Sequence, residues 1–376
     1  KAIAIDPDSE IAHKNMANVL YKTGSLSEAE NVYRHALELN PKYKDTEFGL
    51  SLTLLSLGQL KEGWLRYESR FNLLNVVSDT FSISNSFNRA ITDFAQPEWN
   101  GSALVEKSII LWGDQGLGDE VRFASIIPDL QRTGAKITIE CDKRLTDIFA
   151  RSFPEATILA YEHGGAANNP KEFDYQCPLT GLARFFRNDY ESFANDGNGH
   201  LKADPAITTF WKKRLKDIGP QPKIGISWNS VVTTPDRIPH YASIEELSPI
   251  LNTSGIDFVN LQSHESNEDL AKARKQFGVE IHTWNDLDYK NDLNGIAALT
   301  SNLDLVISFP TFSAELAGSL GVPTLCFVSH KNSFEELGSN DNIWYHNTHH
   351  ISKNINDPWQ PVFEKIAEIV RLKFEL

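Results

Sequence analysis

From Ser108 onward, short β-branched apolar runs alternate with amphipathic ones, and the alternation comes in two series. In the first, "SIILWG", "KITIEC", "ATILAY" and "YQCPL" read as strands, with "DEVRFASIIPDLQRTG" and "KRLTDIFARSF" as helices between them. After a connector, "GNGHLKADP", the second series starts at Lys223. Its strands are "KIGISW", "IDFVNLQ", "VEIHTW", "LDLVISF" and "PTLCFV", and its helices "SIEELSPILN", "EDLAKARKQFG", "NDLNGIAALTSN" and "SAELAGSLG". Such alternation predicts parallel sheets covered on both faces. Two series predict two Rossmann-like domains facing each other across a cleft. The closing "PWQPVFEKIAEIVRLKFEL" is expected to be a long helix that packs back across their junction.

The N-terminal part is different. Pro7 recurs as Pro41, Gly24 as Gly58, Leu20 as Leu54, Glu28 as Glu62 and Tyr33 as Tyr67, a period of 34 residues. "NMANVLYKTGSLSEAENVYRHALELNP" reads as helix, glycine-centred turn, helix and Asn-Pro stop. That period and order are the signature of tetratricopeptide (TPR) repeats, with Ala29 where paired helices approach. Two repeats are visible, and about three are needed for a stable stack. The next domain caps them or further repeats precede them. The expected division is 1–71 for the repeats, truncated at the N-terminus, then 72–205 and 206–376 for the Rossmann-like domains. Residues 72–105, rich in Ser, Asn and Thr, read as an irregular transition.

The net charge of −14 argues against a nucleic-acid binder, which needs a basic face. No apolar run approaches the roughly 18 residues of a membrane span, and no signal peptide is visible. The three scattered cysteines, Cys141, Cys177 and Cys326, give no disulfide framework and suit a cytoplasmic location.

In open α/β sheets ligands bind beyond the carboxyl ends of strands. One such place is "ILWGDQGLGDEVRF". Gly113, Gly116 and Gly118 permit tight turns and close backbone approach. The spacing matches neither a Walker loop nor G-x-G-x-x-G. Asp119 falls at a helix N-terminus, which stabilises its carboxylate. It is a helix-capping group or a base aimed at a substrate. Ser313, at the start of "SAELAGSLG", is likewise a cap or a phosphate ligand, since both use the same geometry. Arg237 is a solvated surface charge or a fork of donors for phosphate. Trp228 and Trp284 are core aromatics or stacking platforms. "DLD" at Asp286–Asp288 has the Asp-x-Asp form of a metal site, but acid pairs of this kind are common. The histidines of "HNTHH" (His346, His349, His350) read as surface residues, because zinc partners are lacking nearby.

"GDQGLGDEVRFASIIPDL" resembles the Gly-Leu-Gly-Asp segment of bacterial TPR-linked glycosyltransferases. These are related to lipopolysaccharide heptosyltransferases and, more distantly, to protein O-GlcNAc transferases. "KIGISWNS", Arg237 ahead of "YASIEELSPIL", "DFVNLQ", "FGVEIHTWNDLDYKNDLNGIAAL" and "LDLVISFPTFSAELAGSLGVPT" follow the same order. The resemblance implies a GT-B fold, an N-terminal Rossmann-like domain on the acceptor side and a C-terminal one holding a nucleotide-sugar. It is nearest to the enzymes that modify flagellin or other proteins.

The resemblance implies an inverting glycosyltransferase without a metal or other cofactor, acting on a protein acceptor docked on the TPR helices. Asp119 would be the general base, with Glu120 in reserve. The nucleotide-sugar would lie among Gln115, Gly116, Gly118, Trp228, Asn229, Arg237, Gln262, Trp284, Asn285, Asp286, Thr311, Phe312, Ser313 and Glu315. Glu315 stands where heptosyltransferases commonly carry His, and Phe309-Pro310 where they carry Asp-Thr. A glutamate beside a pyrophosphate repels it, so a single-phosphate donor such as a CMP-nonulosonic acid is the easier fit. A TPR/GT-B scaffold without activity and a lipopolysaccharide sugar transferase are the alternatives.

Overall fold

The computed structural model describes residues 2–72, 94–161, 172–193, 198–230, 237–329 and 336–376. Most of the Ser-, Asn- and Thr-rich transition, residues 73–93, lies outside them. The contacts divide the chain into two compact units. The first holds Lys1–Asp142, Glu155–Ala194 and Asn332–Trp344, and the second Lys143–Pro154, Asn195–Lys331 and Tyr345–Leu376. The repeats therefore share a unit with the first sheet. The helix Thr146–Ser152 groups with the second unit, and the segment ending at Trp344 with the first. Boundaries expected in chain order miss both exchanges.

In the first unit, Glu10–Lys22 pairs with Leu26–Leu39, and Lys44–Ser56 with Leu60–Tyr67. Gly24 and Gly58 make the two turns at φ 82° and 75°, a region where a side chain is strained. Ala17, Ala29, Tyr33, Leu50 and Leu54 form the core between the helices. The helix Lys44–Ser56 is buried on every side: Phe48, Leu50, Leu54 and Leu55 lie inside, and so do Thr46, Ser51 and Thr53. The second repeat is thus capped within its own unit. Trp64 packs edge-on against Phe123 and Trp344, and Gly58 lies against Tyr190 and Gly338.

Glu62 ties the two repeats together. It accepts both Nη groups of Arg34 at 2.9 Å and Nε of Arg66 at 2.7 Å. Hydrogen bonds from Arg34, then from Arg66, hold its carboxyl at about 2 instead of 4.5. Because the folded value is depressed, the stabilisation is complete above about 4.5 and is lost as pH falls through about 2. Melting temperatures of the wild type and Glu62→Gln, followed downward in pH, should therefore converge across that window. A constant gap would show that the carboxylate charge contributes nothing.

β1 (Ser108–Trp112), β2 (Lys136–Asp142), β3 (Thr157–Tyr161) and β4 (Tyr175–Pro178) form a parallel sheet in the order β3-β2-β1-β4. The single helix expected after β1 is broken: Leu117–Phe123 passes through a 3₁₀ turn, Ala124–Ile126, into Ile127–Gln131. Pro128 in the first turn of the second piece explains the break, since it cannot continue a helix from inside.

The second unit carries β5 (Lys223–Ser227), β6 (Asp257–Asn260), β7 (Ile281–His282), β8 (Leu305–Ser308), β9 (Thr324–Val328) and β10 (Thr348–Ser352). All pair in parallel, in the order β10-β9-β8-β5-β6-β7. This is the strand order of the doubly wound dinucleotide-binding fold, whose switch point falls between its first and fourth strands, here β5 and β8. β10 is built from the histidine-rich stretch: Thr348 and Ile351 are buried while His349 is exposed. The C-terminal helix Gln360–Phe374 stays within this unit, contrary to expectation. Its Val362, Phe363, Ile366 and Val370 join Phe327 and Trp359 in the core. No helix among the described residues is long and apolar enough to cross a membrane.

Candidate functional site

At the switch point of the six-stranded sheet, Gln262 organises the strand ends. It is 1% exposed, and its Oε1 accepts from Ser227 Oγ and, at 3.2 Å, from the Trp228 amide. Its Nε2 donates to Asn229 Oδ1. Asn229 is half-buried just beyond β5. Trp228 itself is fully buried, its indole N–H donating to Asp269 at 3.0 Å. It is a core residue, and no ring face remains for a ligand.

Across the switch point, β8 runs through Phe309 and Pro310 into the helix Phe312–Ser319. Thr311 caps it in an extended conformation without a side-chain capping bond, and its buried Oγ1 has no hydrogen-bond partner among the described residues. The amides of Phe312 and Ser313 have no acceptor inside the helix, so this end suits an anion. Two side chains expected at the phosphate are engaged with other partners here. Ser313 donates its hydroxyl to the Leu261 carbonyl at 2.9 Å, so that proton is not offered to a phosphate. Glu315 is 6% exposed and accepts from the Tyr345 hydroxyl at 2.9 Å. Tyr345 gains its place because Gly318 has no side chain: a Cβ there would lie 2.6 Å from the ring. Phe312 is half-buried.

Arg237 is half-buried and opens the 3₁₀ turn Ile238–His240. The turn carries a residue that the sequence reading passed over. His240 Nδ1 meets Ser329 Oγ at the end of β9. Its proximity to Arg237 in "RIPHY" was the available signal.

A cavity of about 480 Å³ opens at the carboxyl ends of β6 and β7, a size suited to a small ligand. Gln262, His264, Trp284, Asn285 and Tyr289 are among its lining. Asp286 is outside it. Arg214 forks onto this carboxylate at 2.7 and 2.8 Å and holds its pKa below the usual range. The same guanidinium lies 5.1 Å from Trp211 and 5.4 Å from Trp284, and so fixes the Trp284 wall. Asp288 closes its own turn by accepting from the amides of Lys290 and Asn291 at 3.0 Å. The two acids of "DLD" thus serve separate partners. Among the described residues no group of three or more His, Cys, Asp or Glu could hold a metal ion.

In the first unit, the turn after β1 leads into the helix Leu117–Phe123. Gln115, Gly116, Gly118 and Asp119 are half-buried. Asp119 Oδ2 accepts from the Gly116 amide at 3.1 Å, one arm of a capping box. Glu120 points inward: it is 2% exposed and accepts from the Asp142 amide at 3.0 Å, closing the end of β2. That placement makes it a structural residue and removes it as a reserve base. Asp114 is fully enclosed, held by Arg70 and Thr180.

Residues 11–43 match the tetratricopeptide repeat family. Protein FlbA of Caulobacter vibrioides is 29% identical over 99% of this chain, and the chain spans 63% of that relative's length. Among solved structures, a family 9 glycosyl transferase from Veillonella parvula superposes with a TM-score of 0.52 at 13% identity, covering 72% of this chain and 93% of that one. The ADP-heptose lipopolysaccharide heptosyltransferase II of E. coli gives a TM-score of 0.48 at 14% identity, over 71% of this chain and 99% of its own. The fold is TPR helices joined to an α/β architecture shared with the family 9 glycosyl transferase of Veillonella parvula.

Proposed function

We propose that this chain is an inverting glycosyltransferase that moves a sugar from a nucleotide-activated donor to a hydroxyl of a protein acceptor. The observation that carries the reading is the switch point of the six-stranded sheet. There a helix of eight residues starts beside a buried Thr311 hydroxyl, and its Ser313 bonds the carbonyl of Leu261, whose neighbour Gln262 lines the cavity of nucleoside size at the ends of β6 and β7. The nucleoside would occupy the cavity against Trp284 and Gln262, with Asn229 bonded to Gln262. The phosphate would sit on the Phe312 and Ser313 amides, with Thr311 and Arg237 as donors. As the acceptor oxygen attacks the anomeric carbon, the bond from that carbon to the phosphate oxygen breaks. The electron pair stays on the phosphate and the acceptor proton passes to Asp119.

Glu315, turned to Tyr345, supplies no strong reason to exclude a diphosphate donor. Both donor classes fit the helix start, and CMP-sugars are one of them. Protein is the acceptor class that the repeats support. The first repeat helix leaves Ile11, Met16 and Val19 exposed, whereas the helix Lys44–Ser56 of the second repeat is sealed into its unit.

A thermal-shift panel with UDP, GDP, ADP and CMP tests the reading. A nucleotide at 100 times its Kd stabilises the native state by about 2.7 kcal/mol. At least one of the four should raise the melting temperature. Four flat responses at millimolar concentration would end the proposal.

A further inference from the structure

Arg70 follows the last repeat helix and is 1% exposed. Its Nε and Nη2 donate to Asp114 Oδ2 at 3.0 and 2.9 Å, and its Nη1 to Glu68 at 2.8 Å and the Tyr67 carbonyl at 3.1 Å. Thr180 completes the knot. Its hydroxyl accepts from Arg70 and donates to Asp114 at 2.7 Å, and its amide donates to Asp114 at 3.3 Å. The guanidinium lies 4.5 Å from the Tyr67 ring and 4.1 Å from that of Phe71. All this happens just past the ends of β1 and β4. Their adjacency makes this the switch point of the four-stranded sheet, where a ligand would ordinarily bind. Here a side chain from the end of the repeats fills it.

Asp114 is the anchor of the turn Gly113–Asp119. Gly113 is pinned on the other side by its amide N–H, which donates to the Glu140 carbonyl at 3.2 Å. Between Asp114 and Asp119 stand Gly116 and Gly118, which impose little conformational restraint of their own. A catalytic carboxylate on such a turn needs an external brace, because a displacement of about 1 Å costs on the order of 10²-fold in rate. We propose that Arg70 is a positioning residue for the reaction: through its fork on Asp114 it holds the glycine-rich turn that presents Asp119. The end of the repeat array would then be part of the catalytic apparatus as well as a docking module. Asp119 also lies near this end of the array. Burial pushes the Tyr67 phenol up, and the Asp119 carboxylate adds to the shift. The catalytic half of the inference rests on Asp119 being the base.

The test compares Arg70→Lys, which keeps the charge and loses the fork, with Lys14→Met. The latter breaks the partly buried Lys14–Asp45 ion pair elsewhere in the repeats. Two readouts are taken on the full chain. One is amide exchange by mass spectrometry over residues 113–123. The other is nucleotide release from UDP-N-acetylglucosamine, GDP-mannose, ADP-glucose or CMP-N-acetylneuraminate, chosen by the nucleotide that binds. For Arg70→Lys, exchange should quicken in that turn and kcat should fall about 10–100-fold at unchanged donor KM. Lys14→Met should do neither. Turn exchange like that of the wild type, or a kcat loss shared with Lys14→Met, overturns the proposal. Should Arg70→Lys fail to fold, Thr180→Val, which leaves both charges in place, must show the same signature. A wild type inert toward all four sugars counts against the transferase reading alone. The exchange comparison then decides whether Arg70 holds the turn.

Discussion

Asp119→Asn is expected to reduce transfer by about 10²–10⁴-fold, the usual worth of a general base, while nucleotide binding is unchanged. The substitution separates the two roles the carboxylate can have. Asn keeps a side-chain oxygen that can accept from the Gly116 amide, so the cap at the start of Leu117–Phe123 survives. It cannot take a proton at neutral pH. Asp119→Ala removes both functions and should add a stability loss of about 1 kcal/mol, as for other lost caps. Single-turnover transfer with each variant, beside a nucleotide titration, measures the difference. Turnover in Asp119→Asn equal to the wild type would leave Asp119 as a capping group only.

The sheets were legible because parallel strands buried on both faces must be apolar throughout. "SIILW" and "TLCFV" have no other soluble destination. The repeats were legible because Gly24 and Gly58 occupy positions only glycine takes easily. β10 escaped notice because an edge strand needs few buried side chains: Thr348 and Ile351, three apart and so on opposite faces, are the buried ones in a run that otherwise reads as polar. The candidate site was legible in its loops and not in its side chains. Gln262, Trp284 and Asn285 do line one cavity. Ser313 and Glu315, however, are committed to Leu261 and Tyr345, far away in the chain. Arg70 meets partners 44 and 110 positions on. Local spacing carries periodicity and turn chemistry. It does not carry which buried polar group will find which distant partner.

Trp64→Ala is expected to destabilise the first unit by about 3–5 kcal/mol, the cost of truncating a large core aromatic. Trp64 is 1% exposed on the last repeat helix, and its ring lies edge-on to Tyr67, Phe123 and Trp344 at 5.8, 6.0 and 6.1 Å. Three elements meet at that ring: the repeats, the helix that begins near Asp119, and the segment that joins the first unit from beyond β9. Alanine leaves a cavity lined by rigid aromatic rings, which collapse poorly, so the loss should fall at the upper end of the range. Amide exchange measures it locally: protection of β1 (Ser108–Trp112) should drop by the corresponding factor of about 10³ to 10⁴, with β5 (Lys223–Ser227) as the reference. If β1 keeps its protection, the repeats are an appendage and the brace on the turn Gly113–Asp119 must come from elsewhere. If it falls, the repeats and the first sheet are one cooperative structure. A partner that strains the repeats would then reach the turn Gly113–Asp119 through packed rings and the Arg70 fork.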